Sequence, residues 1–504
     1  MTVFVPCPTP FNLAQYALRH APRLGEKPAL EWHSTTGVTA ISFAALESAV
    51  RGTATGFLAQ GLVPGDRILL RIGNSLGFPV AFLAAIAAGM VPVPTSAALT
   101  VAEITRMAEQ IKPALIVAEA GIALPAGQTA VITVDDLQSM ARLAPCDWAM
   151  GDANRLAYIV FTSGTSGNAL PVAHAHRAIW ARRMMHQGWE GLTDADRLMH
   201  AGALNWTYTL GTGLLDPWSV GATALLFAPG TLSDAFAPLL AQAHATIFAA
   251  APGVYRQMLK HPLPPLPGLR HGLSAGEALS ADLRNRWFAA TGTDLHEALG
   301  MTECSTFLSG SPSRPAPAGS SGYAQPGRKV AVLNDDGQIS PPGTPGVLAV
   351  HHSDPGLMLG YLDNAPLTAA RYLGDWFVTG DLVQQDADGS FRHLGRADDV
   401  MNPGGFRVSP HEVEAAIAGL AGLTDCAVAE VKLPSGVSVI ACGYVAGFPL
   451  DDAALLAHAA QSLARYKQPR FWHHLDHLPR NANNKLDRRL LRQILQERTE
   501  QETR

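Results

Sequence analysis

A six-residue apolar run, Leu156–Phe161, passes without a spacer into Thr162-Ser163-Gly164-Thr165-Ser166-Gly167. β-Branched and aromatic residues in a run of that length predict a buried strand. Its end is crowded with hydroxyls and glycines. Glycine lets the main chain turn sharply and bring its N–H groups close to an anion, and the hydroxyls add reorientable donors, so the loop suits a polyphosphate. Taken alone, the same run also describes an ordinary surface loop. The flanking sequence decides how much weight it carries.

Short apolar segments alternate with helical patterns on both sides of this stretch. Strands are expected near Pro28–Trp32 and over Asp66–Ile72, Ala114–Ala118, Ala130–Val134, Gly221–Phe227 and Ile247–Ala251. Helices are expected over Val80–Ala88, Val101–Gln110, Ala178–Gly188, Asp234–Ala243 and Gly253–Lys260. The alternation predicts an α/β fold with largely parallel sheets, and ligands bind such folds at the carboxyl ends of the strands. Residues 311–345, rich in Pro, Gly and Ser, read as a β-rich subdomain. The pattern changes again at Gly395-Arg396-Ala397-Asp398-Asp399, after which it describes a small α+β module. There Ser409-Pro410-His411-Glu412 is a capping box opening a helix over Pro410–Leu420, and Asp451–Tyr466 is a second helix. The expected domains are therefore 1–397 and 398–504.

Composition excludes several classes. The 504 residues are 47% hydrophobic and 16% charged with a net charge of −5, enough for a large core and no reason to expect nucleic acid. Five scattered cysteines without a CxxC fit neither a disulfide framework nor a cysteine zinc site and point to a reducing, cytoplasmic setting. Gly77–Pro94 is apolar enough for a membrane span, but its prolines and glycines make it a buried helix leading into a strand.

Five further stretches accompany the phosphate loop: Ser274-Ala275-Gly276-Glu277, Gly300-Met301-Thr302-Glu303, Thr379-Gly380-Asp381, Gly395–Asp399 and Arg480-Asn481-Ala482-Asn483-Asn484-Lys485. In this order and spacing, across nearly the whole chain, they resemble the adenylate-forming superfamily, and the pattern is closest to benzoate-type CoA ligases. The resemblance implies a large N-terminal domain binding ATP and acid and a small mobile C-terminal domain. It also implies an AMP-forming acyl- or aryl-CoA ligase using ATP, Mg²⁺ and coenzyme A. Thr162, Ser163, Gly164, Thr165, Ser166 and Gly167 would take the β- and γ-phosphates. Thr302 would bond the α-phosphate, and Glu303 would hold the metal. Asp381, assisted by Arg396, would accept from the ribose hydroxyls, and Gly276 and Glu277 would lie along the adenine. Lys485 would bridge the carboxylate and the α-phosphate. Asp398 would be the hinge that brings Gly404, Gly405 and Phe406 to the coenzyme A tunnel. The acyl pocket would draw on Asn205, Trp206, Tyr208, Gly300 and Met301. A separate carrier protein is an alternative acceptor, and a homodimer is allowed.

Three positions depart from the family pattern: Leu170 replaces the loop lysine, Leu299 the aromatic residue before Gly300, and Asn484 the glycine before Lys485. They leave open a non-catalytic nucleotide-binding paralogue. Gly272-Leu273-Ser274-Ala275-Gly276 also matches a nucleophile elbow, so a serine hydrolase using Ser274 with His351, His393 or His411 is a further alternative. Arg270-His271 makes a poor buried strand, which argues against it. His473, His474 and His477 resemble a metal cluster but read as structural.

Overall fold

The computed structural model describes residues 4–162, 169–397, 399, 401, 403, 408–434, 437–480 and 486–502. The chain forms two compact units, Met1–Val330 with Val350–Phe377, and Ala331–Ala349 with Val378–Arg504. The division expected at 397/398 falls inside the second unit.

The first unit carries the α/β architecture. Val91–Pro94, Arg67–Arg71, Leu115–Ala118 and Ala130–Thr133 pair in that order, all parallel. The apolar helix Gly77–Ala87 is buried from Phe78 to Ala87, so its hydropathy serves the core. Among the described residues no helix is long and apolar enough to cross a membrane. A small antiparallel sheet pairs Pro171–Ala175 with Leu156–Phe161 on one side and Gly360–Tyr361 on the other.

The remaining strands of this unit form a mixed sheet. Its parallel centre runs Asp294–Met301, His271–Ala275, Ile247–Ala250, Arg197–His200, Thr223–Phe227 and Pro28–Ser34. Antiparallel strands flank it, Gly37–Ser42 at one end and Ser305–Ser309 followed by Gly322–Ala324 at the other. Two expectations need correction here. His271–Ala275 is a fully buried strand, although Arg270-His271 had argued against one. Arg270 turns outward to both Asp196 oxygens (2.7 and 2.8 Å), and His271 Nε2 lies 2.8 Å from the Glu190 carbonyl, so neither polar side chain is left unpaired. The helix expected over Ala178–Gly188 is broken into Ala178–Ala181, Arg183–Met185 and a π-helix, His186–Glu190. The widened turn directs Trp189 and Glu190, both fully buried, into the interior.

The second unit is built chiefly on Val330–Leu333, Pro345–His351, Trp376–Gln385 and Ser390–Arg396, in that sheet order, and on a three-stranded sheet of Leu423–Lys432, Ser438–Ala446 and Phe471–His474. Helix Pro410–Ile417 starts as expected with proline in its first turn, and Ser409 Oγ accepts the Glu412 N–H. The Glu412 carboxylate pairs with Lys467, so one half of the capping box is made. Asp452–Ser462 is capped by Asp451 and gives way to a short 3-10 turn, Arg465–Lys467. The C-terminal helix Arg488–Glu502 packs Leu491, Leu495 and Thr499 inward. Arg488 fastens it by two 2.8 Å bonds to Glu414, whose carboxyl burial would raise but the Arg488 charge and the His411 hydrogen bond hold down at about 2.

Candidate active site

Four neighbouring parallel strands of the first unit deliver the expected substrate segments to one sheet edge. Arg197–His200 runs into Ala201–Tyr208, and Ile247–Ala250 into Ala251–Val254. His271–Ala275 runs into Gly276-Glu277, and Asp294–Met301 into Thr302-Glu303. Because the strands are parallel and adjacent, their carboxyl ends share an edge, the usual ligand position in α/β sheets.

Thr302 and Glu303 occupy the tip of a hairpin. Met301 pairs with Ser305 and Gly300 with Thr306 across antiparallel strands, and the Cys304 N–H closes the turn on the Met301 carbonyl at 3.2 Å. Gly300 is required by contact: a Cβ there would lie 2.3 Å from the Ser305 carbonyl oxygen and 2.5 Å from Thr306 Cα. Glu303 is fixed from outside its own hairpin. Tyr361 Oη donates to its Oε1 at 2.7 Å, and the Met358 N–H to its carbonyl at 2.7 Å. The carboxylate is a hard oxygen donor and partly exposed, which fits a magnesium ligand. His174 is stacked 4.8 Å from Tyr158, and burial lowers its pKa to about 3, so the ring is neutral.

The acyl-pocket candidates divide. Tyr208 is buried, with its hydroxyl on the Leu273 carbonyl (3.1 Å) and its ring edge-on to His200 at 4.4 Å. Asn205 and Trp206 are partly exposed. Asn74, which sequence reasoning missed, staples this segment: its Nδ2 donates to the Gly202 carbonyl (2.7 Å) and its Oδ1 accepts the Leu204 N–H (3.0 Å). Glu277 lies 3.3 Å from Arg256 Nη2. Glu297, paired with Arg284 at 2.7 Å, accepts the Leu279 N–H and so steadies the loop after Gly276.

In the second unit Asp381 and Arg396 are direct cross-strand partners. Arg396 Nη1 reaches Asp381 Oδ1 at 3.4 Å and the Thr379 carbonyl at 3.0 Å. His393, weighed from sequence for a hydrolase, sits 3.3 Å from the same Asp381 oxygen. Burial alone would raise the Asp381 carboxyl; the His393 hydrogen bond and the Arg396 charge outweigh it and hold it below its ordinary value.

Thr162 is the described residue at the start of the expected phosphate loop. Its N–H donates to the Leu170 carbonyl (2.9 Å) and its Oγ1 accepts the Leu170 N–H (3.1 Å), so Leu170 contributes through its main chain. Ser163, Gly164, Thr165, Ser166, Gly167, Asp398, Gly404, Gly405, Phe406 and Lys485 lie outside the described residues, as does Asn484. Ser274 is fully buried inside its strand, and its Oγ has no hydrogen-bond partner among the described residues. A nucleophilic serine needs a base in hydrogen-bond reach and an open face, so the elbow reading loses its support. His473 bonds Thr499 (3.0 Å) and His474 the Ala446 carbonyl (3.0 Å), as structural histidines do.

The family model described as AMP-binding enzyme matches residues 18–362, and AMP-binding enzyme C-terminal domain matches 412–485. The chain belongs to the AMP-binding enzyme family. Among its relatives is a benzoate–CoA ligase of Thauera aromatica, 30% identical with 86% of each chain covered. A benzoate CoA ligase structure from Burkholderia xenovorans LB400 matches with TM-score 0.87 at 28% identity, covering 96% of this chain and 100% of that one. ATP-bound MatB from Rhodopseudomonas palustris matches with TM-score 0.88 at 27% identity, covering 97% and 99%. The α/β class and the small C-terminal domain agree with this membership.

Proposed function

We infer that this AMP-binding enzyme is an AMP-forming acyl- or aryl-CoA ligase. The observation that carries the reading is the convergence of Ala201–Tyr208, Gly276-Glu277 and Thr302-Glu303 at the carboxyl edge of adjacent parallel strands. A carboxylate oxygen attacks the α-phosphorus of ATP, the bond to the β-phosphate breaks, and pyrophosphate leaves. The thiol sulfur of coenzyme A then attacks the acyl carbon, the bond to AMP breaks, and the thiol proton is lost. Negative charge accumulates in the first step, so donors already aimed at the phosphates lower its barrier. Thr302 donates to the α-phosphate, and Glu303 would hold Mg²⁺, which would neutralise phosphate charge. Thr162 to Gly167 cradle the outer phosphates. Asp381, with Arg396 behind it, takes the ribose, and Gly276 and Glu277 flank the adenine. Asn205, Trp206, Tyr208, Gly300 and Met301 form the acyl pocket. An aromatic lining and the benzoate-ligase relative support an aryl acid as substrate.

The mobile domain is proposed to begin at Asp398, with Lys485 serving the first step and Gly404, Gly405 and Phe406 the second. The five cysteines are unpaired, which fits the proposed cytoplasmic setting. The test is pyrophosphate release with ATP and Mg²⁺ across aryl, short-chain and medium-chain acids, with and without coenzyme A. Release restricted to one acid class, with turnover dependent on coenzyme A, is expected. Acid-dependent release indifferent to coenzyme A would favour a carrier protein, and ATP binding without release a non-catalytic paralogue.

A further inference from the structure

The Thr302–Glu303 tip rests on a residue in an unfavourable conformation. Ser305, the first residue after the turn, has φ of 63°. Three-residue hairpin loops place a left-handed residue at this point, and glycine is the usual choice. A side chain there costs on the order of 1 kcal/mol, so something must hold it.

Arg182 is in place to do so. Its Nη1 donates to Ser305 Oγ at 2.5 Å. The rest of the guanidinium is immobilised: Nε and Nη2 take the two Asp216 oxygens at 2.7 and 2.5 Å, and Nη2 also reaches Thr212 Oγ1 at 3.2 Å. Both charged side chains are buried, Asp216 completely. The seat is shaped for this group, because a Cβ on Gly211 would lie 2.0 Å from Arg182 Cζ. Gly211 and Thr212 belong to a π-helix, Gly211–Leu215, and Glu190 ends the other, His186–Glu190. Such turns are rare, and two surround one guanidinium. A second buried arginine supports the same hairpin: Arg328, paired with Asp354 at 2.6 Å, donates to the Thr306 carbonyl at 2.9 Å.

His186, Glu190 and Asp216 have the spacing of a metal site. The guanidinium on both Asp216 oxygens already supplies the positive charge, so a cation has no vacancy to fill. Burial and the Asp216 charge push the Glu190 carboxyl well up.

We propose that Arg182 is a positioning residue for adenylation: through Ser305 Oγ it holds the Thr302–Glu303 tip in the conformation that meets the nucleotide. The proposal rests on the ligase reading. It is tested with Ser305→Ala, Ser305→Gly, Arg182→Lys and the Ser305→Gly/Arg182→Lys pair, each assayed for acid-dependent pyrophosphate exchange, for thiol transfer from supplied acyl-adenylate, and for melting temperature. Ser305→Ala keeps the strained backbone without its tether, so exchange kcat should fall roughly ten-fold with the KM for acid and the transfer step unchanged. Ser305→Gly should recover part of that loss, since glycine takes this conformation unaided. Arg182→Lys keeps the charge but not the fork, and should cost much less exchange activity in the Ser305→Gly background than alone. Full exchange activity in Ser305→Ala, or equal losses in both half-reactions with a lowered melting temperature, would overturn the proposal. Absence of acid-dependent exchange in the unaltered protein would overturn the ligase reading, and this assignment with it.

Discussion

Glu190 is a carboxylic acid sealed in the interior with Asp216 as its neighbour. Burial first, and then the Asp216 charge, raise its pKa well above the ordinary 4.5, while Asp216, which burial would also raise, is held far down by Arg182. Below about pH 4.5 Glu190 is protonated in both folded and unfolded chains and exacts no penalty. As pH rises past that value the unfolded chain ionises and the folded one does not. Stability therefore falls by up to about 1.4 kcal/mol per pH unit until the folded group titrates. Glu190→Gln keeps the shape and stays neutral, so its urea midpoint should pull ahead of the unaltered protein's as pH rises from about 5 to 8. Parallel curves would show Glu190 to be ionised. None of this was legible in the sequence, because Arg182 meets Asp216 across 34 positions and Ser305 across 123. The roles proposed for Thr302, Glu303, Asp381 and Arg396 could be put forward from sequence because each residue lies in a short contiguous motif.

The hairpin carrying Thr302 and Glu303 is the element on which the proposed chemistry leans most. Gly300→Ala would drive a methyl group into the Ser305 main chain and splay the two strands. Acid-dependent pyrophosphate exchange should drop at least ten-fold, roughly 1.4 kcal/mol or more of barrier, since the tip moves with its strands. Retained exchange with an unshifted KM for ATP would show that the hairpin absorbs the methyl group. Elements were readable where the side chains are apolar and buried throughout, as in Thr223–Phe227, or where one face of an amphipathic helix is buried, as in Val101–Ile111. They were missed where tertiary partners make polar residues acceptable inside. His271–Ala275 is such a strand, and the π-helix His186–Glu190 answers to Asp216 rather than to its own periodicity. The edge strand Gly37–Ser42 has four exposed residues in succession and offers no apolar alternation to read.

At the scale of the whole molecule, the ligase reading assigns different groups to the two half-reactions. Lys485→Ala should lower adenylate formation on the order of 10²-fold or more while sparing transfer from supplied acyl-adenylate. Equal losses would remove the division of labour. Asp398→Pro fixes φ near −65° and should freeze the small domain in one of its two states. One half-reaction should survive and the other fail, measured separately as pyrophosphate exchange and thioester formation. A variant fully active in both would place the hinge elsewhere. The expected division at 397/398 came from the change of sequence character after Gly395. The compact units were not legible, because Ala331–Ala349 packs with residues far downstream of it.

The shared edge of the parallel strands also bears on how such a chain can diverge. The proposed acid-contacting segment Asn205–Tyr208 follows Arg197–His200, while the loops proposed for the nucleotide leave His271–Ala275 and Asp294–Met301, the last strand also lending Gly300 and Met301 to the acid. Each loop is anchored on its own strand, so the acid-contacting loop after Arg197–His200 can be rewritten by mutation while the nucleotide loops stay under selection. Substrate range is thereby free to drift across descendants of a single scaffold whose energy-coupling half is inherited intact.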